Sequence, residues 1–105
     1  MDWKLELVVI PVTDVDRAKC FYHEQVGFAV DHDTRIDDEM RVVQLTPVGS
    51  ACSIAIGTGL PSSAPGSMQG IQLVVPDVDA ARTHLIERGV EVSPVQHYAG
   101  PALRR

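Results

Sequence analysis

The side chains in this chain with the chemistry to hold a metal or move a proton are four histidines, two cysteines and a run of carboxylates. An imidazole titrates near neutral pH and can serve as general acid, base or ligand. His23 and His84 fall in the middle of helical segments and read as solvated surface residues. His32 lies in the charged run Asp31-His32-Asp33-Thr34-Arg35, close to Asp37, Asp38 and Glu39. That run concentrates acid but lacks an Asp-x-Asp-x-Asp-Gly loop, so it reads as the solvated edge of a hairpin and not as a calcium site. Cys20 and Cys52 have no CxxC spacing, so neither a disulfide framework nor a zinc knuckle is indicated. Both read as buried small hydrophobes, and a reducing cytoplasm is the default location.

The remaining composition narrows the partners. Nine basic residues are scattered, apart from Arg104-Arg105, over a chain of net charge −5. Nucleic acid is a poor partner for such a surface, because phosphate neutralisation needs clustered Lys and Arg. The longest apolar run, residues 7–12, is far too short to cross a bilayer, and residues 1–6 interleave charge with apolar side chains. No membrane and no export are expected. At 105 residues, one domain with a modest core is expected.

The elements that must position these residues follow from hydrophobic period and turn chemistry. Residues 5–12 read as a buried strand stopped at Pro11 and the turn after it. Thr13 or Asp14 then caps a helix over about 15–26, with Val15, Ala18, Phe21, Tyr22 and Val26 on one face and Gly27 as its stop. Strands are expected over 28–33, 40–46 and 51–56, separated by Asp37-Asp38 and by Pro47-Val48-Gly49-Ser50. A Gly/Pro/Ser-rich linker follows over about 58–67. Another strand is expected over 69–75, then a helix from Val78 to about Arg88 capped by Asp77 and closed by Gly89, and the start of a strand over 90–92.

One heptapeptide pattern occurs twice in this order. Val12-Thr13-Asp14-Val15-Asp16-Arg17-Ala18 returns, sixty-three positions later, as Val75-Pro76-Asp77-Val78-Asp79-Ala80-Ala81. Repetition at long period dictates architecture before any single residue is interpreted. The expected fold is α+β, with tandem βαβββ modules in one domain. Module one spans about 4–57 and module two about 68–105, the second truncated by two strands. An incomplete sheet leaves an edge and an apolar face to be covered by something else.

Two βαβββ units with Val-x-Asp-Val-Asp-x-Ala at each strand-to-helix turn, Phe21-Tyr22 inside the first helix and Arg88-Gly89-Val90 after the second resemble the vicinal oxygen chelate superfamily. That superfamily includes glyoxalase I, bleomycin-resistance proteins and extradiol dioxygenases, and the resemblance covers residues 4 to about 95. In metal-using members a His precedes the turn Asp by seven residues on the first and fifth strands, and a Glu stands on the fourth and last strands. Carried onto this chain, those positions are Leu7, Gly70 and Ala55, with the fourth beyond residue 105. None of the three is a donor, so the resemblance implies the scaffold without the metal, and no cofactor is expected. His97-Tyr98 stands where the resemblance places substrate-contacting residues, which makes His97 the best-placed acid/base candidate and Tyr98 a ligand contact.

Residues of equal parity share a strand face. Leu7, Val9, Ser53, Ala55, Gly70 and Gln72 are therefore expected on the cavity face, with Val8 and Ile10 toward the helices. Such a lining suits a small apolar or amphipathic ligand. The leading expectation is a metal-free small-molecule-binding protein that forms a homodimer. The alternatives are a lyase or dioxygenase whose metal ligands lie outside this chain, and a catalytically empty module that exchanges strands with a second chain.

Overall fold

The computed structural model of the chain describes residues 1–59 and 64–96. The chain divides into two compact units, Met1–Gln72 and Leu73–Arg105. In the first, the elements run β1 (Leu7–Pro11), α1 (Val15–Cys20) continuing as a π-helical segment (Phe21–Val26), β2 (Ala29–Arg35), β3 (Arg41–Thr46) and β4 (Ser53–Thr58). The strands form one sheet in the order β1-β4-β3-β2. β1 runs parallel to β4, and the other two pairings are antiparallel. This is the βαβββ arrangement expected for module one, with β4 beginning and ending two residues later than the strand expected over 51–56.

The parallel β1–β4 pairing needs a crossover, and the helix provides it. Asp14 caps that helix, its Oδ1 accepting from the Arg17 amide at 3.0 Å. Val15, Ala18, Tyr22 and Val26 then fall on the face that meets the sheet, where they join Ile10, Phe28, Val43, Leu45, Ile54 and Ile56 in one core. Val43, Leu45 and Ile56 are fully enclosed. Each such aliphatic side chain contributes about 1.5–3 kcal/mol relative to an exposed one.

The last turn of the helix is wider than the α-helical period predicts. The amides of Gly27 and Phe28 both donate to the Tyr22 carbonyl, at 3.0 and 2.8 Å, and Gly27 sits at φ 100°. His23 locks the same corner, its Nδ1–H donating to the Phe28 carbonyl at 2.7 Å. His23 is nonetheless exposed, as expected of a solvated surface residue, and the hydrogen bond adds a local role to it. Cys20 is exposed, not buried as expected, because its position on the helix points away from the apolar stripe; Cys52 is half-buried.

A charged cluster fastens the helix to β2 and β3. Arg41 donates to Asp33 through Nε and Nη2, at 2.9 and 2.8 Å, and to Asp16 through Nη1 at 2.7 Å. Lys19 adds a 2.7 Å contact to the same Asp33 carboxylate. The acidic run read as a solvated edge is therefore in part a structural ion network. Beyond β4, Gly59 is required by space as well as by its φ of 71°: a Cβ there would stand 2.7 Å from the Glu39 carbonyl oxygen.

The second unit is built around α2 (Val78–Glu87). Asp77 repeats the first cap, accepting from the Ala80 amide at 3.0 Å. At the other end the Gly89 and Val90 amides return to the Ile86 and Leu85 carbonyls, both at 3.0 Å, with Gly89 at φ 80°. Arg82 Nε donates to the Ser93 carbonyl at 3.0 Å and holds residues 92–96 beside the helix. His84 Nδ1 accepts from Arg88 at 2.9 Å, a local helix contact that accounts for this histidine.

The strands expected over 69–75 and 90–92 do not form. A strand's amides and carbonyls need a neighbouring ladder, and residues 69–75 have no strand partner among the described residues. Gly70, at φ 87°, also interrupts the extended run, and Ile71, Leu73, Val74 and Val75 stay 39–81% exposed.

Candidate functional site

The sheet of the first unit has one face toward the helix and one away from it. Alternation along β1 sends Val8 and Ile10 into the core and leaves Leu7 and Val9 on the far side, 37% and 36% exposed. On β4, Ile54 and Ile56 enter the core, so Ser53 and Ala55 share the far face with Leu7 and Val9. The register brings them side by side, Leu7 opposite Ser53 and Val9 opposite Ala55. Across the next ladder Ala55 faces Gln44 of β3, and Gln44 in turn faces His32 of β2.

Four of the residues expected to line a ligand site therefore form one contiguous patch. Ser53 and Ala55, both small and on an inner strand, are 8% and 5% exposed between larger neighbours. Gly70 and Gln72 lie outside any strand and are exposed, so the structure does not set them on the sheet. His97 and Tyr98 fall outside the described residues.

The sequence reading missed the polar group at the heart of this patch. Thr46 Oγ1 lies 2.6 Å from Ser53 Oγ and also hydrogen-bonds Asp31 Oδ2. Asp31 reaches Thr46 because β2 is bulged between Val30 and His32. A bulge adds one residue on one strand and re-aims its side chain. The parity of Gln44 and Thr46 was legible; the bulge, which depends on how β2 registers against β3, was not.

On the opposite side, electrostatics serve the scaffold. Hydrogen bonds from Arg41 and then from Lys19 hold the Asp33 carboxyl well below the usual carboxylate range, and Arg41 lowers that of Asp16. A concavity of about 440 Å³ opens beside the helix, lined by Val12, Arg17, Phe21, Tyr22 and Gln25. It is wide and shallow, and none of the residues expected to line a ligand site borders it.

No three His, Cys, Asp or Glu side chains converge as metal ligands among the described residues. Leu7 and Ala55, two of the positions to which the resemblance carries the metal ligands, are both apolar. Gly70 offers no side chain at the third. The residues present there do not fit a metal.

The family model for the Glyoxalase/Bleomycin resistance protein/Dioxygenase superfamily matches residues 4–102. The chain belongs to this superfamily. Among solved structures, it is 36% identical to a glyoxalase/bleomycin resistance protein from Streptomyces sp. CB03234, covering 90% of this chain and 82% of that one, with a TM-score of 0.77. TnmS3, an antibiotic binding protein from the same organism, is 35% identical over 92% of this chain and 79% of its own, with a TM-score of 0.81. A superfamily member from Sphaerobacter thermophilus is also 35% identical, covering 86% and 74%, with a TM-score of 0.69. No curated protein matches the sequence. No helix among the described residues is long and apolar enough to cross a membrane.

Proposed function

We propose that this superfamily member is a metal-free small-molecule-binding protein that holds an apolar or amphipathic ligand on the far face of the four-stranded sheet. The observation that carries the reading is the patch itself. Leu7, Val9 and Ala55 supply apolar contact around Ser53, with donors lacking where metal-using relatives carry them. Apolar walls with a few placed polar groups are the usual make-up of a ligand site. The similarity to an antibiotic binding protein over nine-tenths of the chain points the same way. The expected result is a saturable rise in melting temperature with at least one member of a panel of aromatic compounds. Unchanged melting across the panel, or a stoichiometric metal that restores turnover after chelation, would overturn the reading.

One sheet face cannot enclose a ligand alone. In this proposal residues 68–105 belong to a second, related module, and a homodimer completes the cleft. The exposed Ile71, Leu73, Val74 and Val75 support it, since an unpaired apolar run suits the sheet edge of a second copy. Sedimentation velocity at micromolar concentration should then show a dimer. A well-folded monomer would refute this part.

A further inference from the structure

Three linked polar side chains on this face, Asp31, Thr46 and Ser53, hold their protons in a fixed order. Thr46 has one hydroxyl proton and two close partners, Asp31 Oδ2 and Ser53 Oγ. An ionised carboxylate only accepts, so Thr46 must donate to Asp31. Its oxygen is then the acceptor toward Ser53, and the Ser53 O–H donates to it at 2.6 Å. The one proton that Ser53 owns is committed. What remains at Ser53 Oγ is acceptor capacity, on a residue 8% exposed and beside Leu7 and Ala55.

A lone serine rotates its hydroxyl to suit either a donor or an acceptor. A serine at the end of a chain anchored on a carboxylate does not. Each hydrogen bond in such a chain polarises the next, and the effect is stronger away from bulk water. Asp31 thus sets the polarity of Ser53 from two residues away, without itself needing to touch what binds there.

Resting on the small-molecule reading above, we infer that the Asp31–Thr46–Ser53 relay makes this face selective for ligands that present a hydroxyl or N–H donor on an apolar body. The body lies on Leu7, Val9 and Ala55, and the donor meets Ser53 Oγ. Molecules whose polar groups only accept, such as ethers, esters and ketones, leave Ser53 facing a lone pair and are rejected. Thr46 and Asp31 act here as positioning residues, and Ser53 makes the contact.

A matched pair of probes tests this. 1-Naphthol and 1-methoxynaphthalene share an apolar body, and only the first can donate. By calorimetry or intrinsic fluorescence, the full chain should bind the naphthol roughly three- to tenfold more tightly, the range a single net hydrogen bond supplies. Thr46→Val keeps the shape and cuts the relay, which frees the Ser53 proton for the ether. Asp31→Asn leaves Thr46 in place at an exposed position but adds an amide donor that can reverse the chain. In either variant the preference should fall to within about twofold, mainly through tighter binding of the ether. Equal affinities in the unmodified protein, or a preference unchanged in both variants, overturn the relay while leaving small-molecule binding intact. Failure of both probes to bind overturns the relay and counts against the reading beneath it.

Discussion

Arg41 pairs with two carboxylates at once, and it illustrates what a residue does for the scaffold as distinct from the site. Its guanidinium grips Asp33 with two nitrogens and Asp16 with a third, joining β3, β2 and α1. A forked guanidinium suits such shared contacts better than a lysine would. Because Asp33 is held below the carboxylate range only in the folded state, its contribution is present above the ordinary Asp pKa of about 4 and is lost as pH falls toward the folded value. Asp33→Asn should therefore cost about 1 kcal/mol at neutral pH. Urea titrations of the two proteins should differ by a constant amount above about pH 5 and draw together progressively from about pH 4 down toward the folded value. A difference that stays constant down to pH 3 would show that the network contributes packing and not charge.

At the scale of elements, legibility tracked how local the cause was. Both helix caps were readable because the signal and its effect lie three residues apart: Asp14 meets the Arg17 amide and Asp77 the Ala80 amide. The four strands of the first unit were readable within one or two residues, since alternation and turn chemistry are local as well. Parity grouped Leu7 with Val9 and Ser53 with Ala55, and the resemblance named their face as the cavity side. What failed was non-local. The apolar pattern of residues 69–75 is strand-like, yet a strand exists only with a neighbour, and none among the described residues pairs with it. The wide turn over Phe21–Val26 depends on Tyr22 receiving two amides, those of Gly27 and Phe28, and the bulge at Asp31 depends on register with β3. The polar centre of the site hangs on that bulge, so Thr46 and Asp31 escaped a reading that found Ser53.

For the whole molecule, the scaffold is that of the glyoxalase/bleomycin resistance/dioxygenase superfamily, and the chemistry rests on which side chains line one sheet face. A fold shared by so many functions does not by itself choose among them. In the function proposed above the lining makes that choice, apolar Leu7, Val9 and Ala55 with a polarised Ser53 being suited to holding a molecule. Methyl-resolved NMR titration of the intact protein with 1-naphthol tests this most directly. The methyl signals of Leu7, Val9 and Ala55 should shift saturably while those of Ile10, Ile54 and Ile56 on the helix side stay still. Shifts confined to the helix-side methyls, or none at any concentration, would contradict the account.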